Sequence, residues 1–391
     1  MSTEAVIVDV VRTPVGRGKP GGRLSGVHPV DLLAGVLDAL VNRNDLDPAL
    51  IDDVIGGCVS QVGEQSFNVT RNAVLAAGFP ESVPGTTVDR QCGSSQQTAT
   101  FAAQAVLAGQ ADIVIACGVE SMSRVPLGSS TTGADPYGSR IRSRYPEGLV
   151  GQGVAAELIA ATWRLGRDEL DAFAARSHRL ATEAGESGAF AAEVVPVPGI
   201  DSLSDETVRP GTTVEGLAEL PSAFRTDELA ARFPELGWHL TAGSSSPLTD
   251  GASAALIMSA EAAEKLGLEP RARFRSFAVV GSDPLLMLTG VIPATERVLA
   301  RAGLTHDDID VYEVNEAFAS VPLAWLAETR ADAAKLNPRG GAIALGHALG
   351  SSGTRLLTTL VAQLEASGGR LGLQTMCEGG GMANATVIER V

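Results

Sequence analysis

Short runs of β-branched and apolar residues alternate along this chain with longer stretches whose apolar positions recur every three to four residues. Residues 5–11 (AVIVDVV) read as a strand, 30–43 (VDLLAGVLDALVNR) as an amphipathic helix, 52–61 (DDVIGGCVSQ) as a strand and 68–78 (NVTRNAVLAAG) as a helix. Residues 85–122 then carry strand, helix and strand in succession. Strands separated by helices of about ten residues or more predict a layered α/β fold with a largely parallel sheet.

The pattern breaks between residues 123 and 240, where Gly, Ser, Pro and charged residues dominate and one amphipathic helix stands out at 167–186. Such a stretch between two well-patterned regions reads as an inserted loop domain that shapes a substrate entrance. Strand and helix alternate again in DGASAALIMSAEAAEKLGL (250–268) and from ARFRSFAVVGSD (272–283) onward. The last part repeats the first. LDPALIDDVIGGCVS aligns with LTHDDIDVYEVNEAF, pairing Asp53 with Asp310, and the same offset of 310 − 53 = 257 pairs Gly93-Ser94-Ser95 with Gly350-Ser351-Ser352. A duplicated half follows. The expected division is 1–122 for the first part of the N-terminal half and 123–240 for the loop domain. Residues 241–269 then return to the N-terminal half, and 270–391 form the C-terminal half.

Composition narrows the function classes. At 391 residues the chain exceeds a single ordinary core, and 45% hydrophobic with 19% charged residues is a globular balance. A net charge of −16 with 4% aromatic residues disfavours nucleic acid. An anionic ligand must therefore be met by a local basic patch or by backbone donors. There is no basic segment leading into an apolar core, and no apolar run of about 18 residues, so neither a secretory signal nor a membrane span is expected. Cys58, Cys92, Cys117 and Cys377 are too few and too scattered for a disulfide framework or a zinc site, so reduced thiols in the cytoplasm and no metal are expected.

Four places carry candidate chemistry. Cys92, in VDRQCGSSQQ, lies where a strand-like run meets a helix start, whose free N–H groups and dipole favour thiolate. Gly93 and the two serines after it would let a carbonyl approach the backbone, although a lone Cys is more often a buried structural residue. Cys377 precedes three glycines in CEGGGMANATVIER, which suit either ligand-facing donors or a plain strand-to-strand turn. His347, in NPRGGAIALGHALG, has the setting of a general acid/base, whereas His178, His239 and His306 sit in polar surroundings that suggest solvent, and His28 has no motif. Asn315-Glu316 ends a strand, where the amide could position a water or an oxyanion or simply cap a helix. No Walker loop, no G-x-G-x-x-G at a strand–helix junction and no G-x-S-x-G elbow is present.

Taken together, VDRQCGSSQQ, VESMSR, TAGSSSPLTDGA, VNEAFA, NPRGGAIALGHALG and CEGGGMANATVIER resemble the thiolase family, in order and over almost the whole chain. The resemblance implies the thiolase fold: two duplicated α/β halves layered α-β-α-β-α, with an inserted loop domain. It implies an acyltransferase that cleaves 3-ketoacyl-CoA with CoA as co-substrate and no permanently bound cofactor. Cys92 would be the nucleophile, His347 the base and Cys377 the second acid/base. Asn315 would form one oxyanion hole, and the N–H groups of Cys92 and Gly379 the other. Ser246, Ala242, Ala317 and Phe318 would line the pantetheine channel, and the protein would be a homodimer or homotetramer. Biosynthetic condensation is an alternative, as is, more remotely, a ketoacyl-ACP synthase, whose site would need two histidines.

This sequence departs from the family pattern at Ser95 in place of Gly, at Ala348 in place of Pro, and at Pro221 in place of a basic residue. Arg225 is the candidate to replace that lost contact to the nucleotide phosphate. The chain is also about ten residues longer than expected between Phe224 and Thr241. CGSSQQ with CEGGG resembles an actinobacterial degradative subgroup, some of whose members take bulky acyl groups.

Overall fold

The computed structural model describes residues 4–391. The chain begins β1 (Ala5–Arg12), β2 (Gly16–Arg17), α1 (Pro29–Arg43), β3 (Asp53–Gly57), α2 (Val69–Ala76), β4 (Gly85–Val88), α3 (Ser94–Leu107) and β5 (Ile113–Ser121). Five helices follow: α4 (Gly138–Arg144), α5 (Gln152–Thr162), α6 (Arg167–Glu186), α7 (Val214–Ala218) and α8 (Asp227–Arg232). Then come β6 (Thr249–Ser259), α9 (Ala260–Leu266), β7 (Ala272–Gly281), α10 (Val291–Ala302), β8 (Val311–Val314) and α11 (Ser320–Thr329). The chain closes with α12 (Ala342–Leu345), α13 (Ser352–Ser367), β9 (Leu371–Glu378) and β10 (Met382–Arg390).

Local sequence explains the element ends. In α1, Pro29 sits in the first turn and the His28 ring accepts from the Val30 N–H, while Leu33, Val36, Leu37 and Leu40 form the buried stripe. The extra length between Phe224 and Thr241 is taken up by α8, which Thr226 caps by accepting from the Leu229 N–H.

The strands run β4-β3-β5-β6-β1-β7-β10-β9-β8, with β2 on β6. Within the sheet the two halves are joined through β1 and β7, at Val6–Arg273 and Ile7–Ala272. The sheet is mixed, not largely parallel: β3–β4, β3–β5 and β8–β9 are parallel, and the other pairs are antiparallel. The reason is that β6 returns after the inserted helices to lie antiparallel between β5 and β1, and that β9 and β10 form a hairpin, neither of which periodicity reveals.

Three cores give the layers. One packs α1 and α2 on the outer face of β1, β3, β5 and β6, and another packs α10, α11 and α5 on the outer face of β7–β10. Between the two half-sheets lie α3 and α13, through Ala99, Ala102 and Val106 on one side and Leu357, Leu360 and Leu364 on the other. The layering is α-β-α-β-α. The middle helices are buried on nearly every side although rich in Ser, Thr and Gln. Their hydroxyls return to helix carbonyls, as Thr100 to Gln96 O (3.1 Å) and Thr358 to Thr354 O (2.8 Å).

The duplication is present, one residue away from the register that the sequence suggests. Asp52 accepts from the N–H groups of Asp112 and Ile113 at 2.7 and 2.9 Å, and Asp310 accepts from those of Arg370 and Leu371 at 2.7 and 2.9 Å. The shift is 310 − 52 = 258, and the same shift relates the starts of β3 to β8, α3 to α13 and β5 to β9.

Candidate active site

Cys92 ends the loop into α3, and its neighbour Gly93 is the helix cap without a side-chain partner. The thiol is buried, and burial pushes it up to about 12. Gln152 Nε2 at 3.9 Å and the N–H groups of Cys92 and Gly379 act the other way, favouring the anion. The helix start does not leave a resting thiolate, as the sequence suggested, because desolvation wins. Gly93 also leaves room for a neighbouring side chain. A Cβ there would overlap the carboxylate of Glu378 and crowd Asn384 Nδ2 at 2.7 Å.

Cys377 lies near the end of β9, opposite Ala383 of β10. Gly379-Gly380-Gly381 make the turn of that hairpin, with φ of 85° and 79° at Gly380 and Gly381, which only glycine adopts readily. The glycines thus form a turn, and Gly379 also sends its N–H to Cys92. Burial raises the Cys377 thiol well above its ordinary value, and the proximity of Cys92 raises it further.

His347 follows Gly346, whose φ is 82° and whose Cβ position is taken by Thr249 and Val15. The ring is buried, with Nε2 3.4 Å from Asn315 Nδ2 and Nδ1 2.6 Å from Ser352 Oγ. Burial, and then the charge of Arg355, lower its pKa to about 3, so the ring is neutral. The oxygen of that amide, Asn315 Oδ1, is buried without a partner. Glu316 is a clamp. It accepts from Ser177 Oγ (2.6 Å), Asn337 Nδ2 (2.8 Å) and the Ile343 N–H (3.2 Å), fastening the loop before His347.

The candidate CoA residues lie together except for one. Ser246 N–H donates to Ala317 O at 3.0 Å and Ala319 N–H to Ser244 O at 2.9 Å, so the serine loop runs against the Asn315–Ala319 segment. Phe318 meets the Phe224 ring edge-on at 5.6 Å. Ala242, Gly243, Ser245 and Pro247 line a narrow cavity whose other wall includes His178 and Arg209. Arg225 is not among the residues that line this cavity. It stands at the surface, paired to Asp227 at 3.3 Å. A wider opening beside the first contains Arg17, Lys19 and again Arg209.

His178 is buried at 5% exposure and not solvent-facing. Its Nδ1 accepts from the Arg209 N–H at 3.2 Å, and burial followed by the Arg209 charge lowers its pKa to about 4. His239 and His306 are half-buried. The departure at Ser95 has a structural role: its hydroxyl accepts from the Thr354 N–H at 3.0 Å, tying α3 to the start of α13. Ala348, at φ −71°, already holds the angle that a proline would impose. Sequence reasoning missed Ser352 and Gln152. Only the spacing of Ser352, five residues past His347, offered a signal.

Among the described residues no group of three or more His, Cys, Asp or Glu side chains could hold a metal, no helix is long and apolar enough to cross a membrane, and all four cysteines are free and buried. These segments supply a neutral imidazole, backbone N–H groups that favour a Cys92 anion, and a second buried thiol near the first.

Two family models match, the thiolase N-terminal domain over residues 5–261 and the thiolase C-terminal domain over residues 268–390. The chain is 47% identical to the steroid 3-ketoacyl-CoA thiolase FadA6 of Mycobacterium tuberculosis, over 100% of this chain and 95% of that protein. It is 45% identical to a 3-ketoacyl-CoA thiolase of Marinobacter nauticus, over 99% of this chain and 98% of that one. The crystal structure of the Bacillus anthracis acetyl-CoA acetyltransferase superposes with a TM-score of 0.89 at 35% identity, covering 100% of this chain and 99% of that one. The chain belongs to the thiolase family.

Proposed function

We propose that this protein is a degradative 3-ketoacyl-CoA thiolase, cleaving 3-ketoacyl-CoA with CoA to acetyl-CoA and a shortened acyl-CoA. The observation that carries the reading is a neutral His347 Nε2 beside the Asn315 amide, together with two buried thiols that act on one another, Cys92 and Cys377, the first favoured as an anion by the Gly379 N–H. His347 takes the Cys92 proton as the sulfur attacks the 3-keto carbon. The C2–C3 bond then breaks, Cys377 protonates the acetyl-CoA enolate, and the acyl group remains on Cys92 as a thioester. The proton held by His347 then restores the Cys377 thiol. Incoming CoA gives its own thiol proton to the neutral His347 and attacks the thioester, and the Cys92 sulfur it expels takes that proton back, which closes a ping-pong cycle. Because the resting pair is thiol and neutral imidazole, the proton moves only as negative charge develops on substrate oxygen. The N–H groups of Cys92 and Gly379 form one oxyanion hole, and Asn315 holds a water beside His347 as the other.

Ser246, Ala242, Ala317 and Phe318 line the pantetheine path. Arg209, with Arg17 and Lys19, is better placed than Arg225 to meet the phosphates of CoA, since it lines the cavity behind Ala242 and the basic opening beside it. The protein works in the cytoplasm as a homo-oligomer. β4 ends the sheet, and Phe67 nearby is 90% exposed. One histidine with an asparagine and a second cysteine fits a thiolase and not a ketoacyl-ACP synthase.

The test is thiolysis of a panel of 3-ketoacyl-CoA esters, from acetoacetyl-CoA to long-chain and ring-bearing acyl groups, followed by loss of the Mg²⁺-enolate absorbance. No thiolysis of any member would overturn the reading. The member cleaved best identifies the acyl class.

A further inference from the structure

The duplicated halves place two glutamates at equivalent points, since 378 − 120 = 258, the shift that relates β5 to β9. Glu120 shows what such a buried carboxylate needs. It accepts from the N–H groups of Val59 (2.9 Å), Ser60 (3.1 Å) and Gly350 (2.9 Å) and from Gln65 Nε2 (2.7 Å), with the Cys58 thiol at 3.8 Å. Gly350 is itself the counterpart of Cys92, since 350 − 92 = 258. Glu120 therefore grips, in the other half, the position that the candidate nucleophile occupies in its own.

Glu378 stands in the mirrored place, against the Cys92-Gly93 backbone, and has none of those partners. Both carboxylate oxygens are buried without a hydrogen bond, although Gly93 lacks a Cβ in the very space that Glu378 fills. Asn384 Nδ2, the nearest amide donor, is committed to Gly93 O at 3.0 Å. A carboxylate that is buried and unbonded is costly as an anion and far less so as a neutral acid. The charged and titratable groups facing it are Arg90 and Asp89 from the loop before α3, Cys92 at the end of that loop, and Cys377 from its own strand. Within α3 there is no titratable residue, β10 contributes only Asn384 at this end, and α5 presents the neutral Gln152. Arg90 makes no ion pair with it within 4.0 Å, and the Arg90 Nε is itself buried and unpartnered.

We infer that Glu378 is a positioning residue that shares a single negative charge with Cys92: it is a neutral acid whenever the sulfur, or the oxyanion beside it, carries charge, and it ionises only while Cys92 is neutral. Two anions in one dry enclosure repel strongly, so the pair titrates as a unit. Burial, with Arg90 opposing and Asp89 adding, pushes the Glu378 carboxyl up to about 8, and its charge is one of the influences that raise Cys92. The nucleophile is then easiest to activate on the acid side of that value, and ionised Glu378 holds it back on the alkaline side.

The inference rests on Cys92 being the nucleophile. Alkylation of Cys92 needs no turnover, however, so it can fail while thiolysis stands, and can succeed while thiolysis fails. In the native protein the rate of Cys92 alkylation by iodoacetamide is measured across pH, with the peptide identified by mass spectrometry. Only the thiolate reacts, and it forms only while Glu378 is neutral, so the rate is expected to rise about tenfold per pH unit up to about 8 and to level off above it. In the Glu378→Gln protein the rise continues, which makes alkylation at about pH 9 about tenfold faster than in the native protein. A native rate that goes on rising through pH 8 without levelling off overturns the inference, whether or not the variant folds. So does a rate profile for a folded Glu378→Gln protein that superposes on the native one.

Discussion

Nδ1 of His347 lies 2.6 Å from Oγ of Ser352, and that same hydroxyl lies 2.8 Å from the carbonyl oxygen of Ala348. A serine has one proton to give, and a carbonyl can only accept. The hydroxyl therefore donates to Ala348 and accepts from Nδ1–H, which leaves the lone pair of His347 on Nε2, the nitrogen beside Asn315. Ser352→Ala removes this choice of tautomer. We expect kcat for thiolysis to fall about tenfold to hundredfold, within what general acid–base catalysis supplies, with KM for CoA little changed. Steady-state kinetics of the variant check this, and Ser352→Thr, which keeps a hydroxyl, should recover most of the loss.

The buried His178 predicts an acid-side stability cost. Its pKa is lowered from 6.5 to about 4 in the fold, so below about 6.5 the unfolded chain binds a proton that the native state refuses. The penalty is absent at neutral pH and grows as pH falls toward 4, reaching about 2 kcal/mol at about pH 5. Urea unfolding of wild type and of His178→Gln at both pH values isolates it. The difference between the two proteins should shift in favour of the variant by about that amount on acidification. A constant difference would refute it.

Placement of the basic residues predicts a contrast. Arg209 lines both openings near Ala242, whereas Arg225 is held at the surface by Asp227. Arg209→Ala should raise KM for CoA about tenfold or more, the scale of one lost hydrogen bond to a charged group, while Arg225→Ala changes it less than twofold. Comparison with pantetheine thioesters, which lack the nucleotide, distinguishes lost phosphate contact from a disturbed fold, because Arg209→Ala should leave them unaffected.

Glu316 holds Ser177, Asn337 and the Ile343 N–H at once, and a Cβ on Gly341 would overlap it. Glu316→Ala leaves three buried donors unsatisfied and opens a void, so a loss of about 3 kcal/mol or more in unfolding free energy is expected from chemical denaturation. Gly341→Ala should lower stability in the same assay by overpacking the same place.

What could be read from the sequence was chemistry and element type; what could not was pairing across the chain. Short motifs carry Cys92, Asn315, His347 and Cys377 because glycine turns and strand ends mark them locally, and the structure sets Asn315 beside His347 and Cys92 close to Cys377. The helix at 167–186 and the alternation of strand with helix were visible for the same reason. The repeat was visible but slipped by one residue, since sequence similarity weighs identities such as Gly-Ser-Ser, whereas register is set by where Asp52 and Asp310 bind the next strand. Strand direction was hidden because an antiparallel return looks like a parallel one in its own residues. His178 sits among polar letters yet faces inward, because on α6 only the face decides burial. The orphan state of Glu378 depends on a helix start almost 300 residues away and leaves no local trace.

The most direct test of the central claim is to mix the enzyme with acetoacetyl-CoA in the absence of free CoA, quench in acid within one turnover, and map the acyl group by peptide mass spectrometry. One acetyl group per chain is expected, as a hydroxylamine-labile thioester on the Cys92 peptide, and none in Cys92→Ser. An acetyl group found instead on Cys377, or substrate consumed with Cys92 unmodified and the serine variant still active, would contradict it.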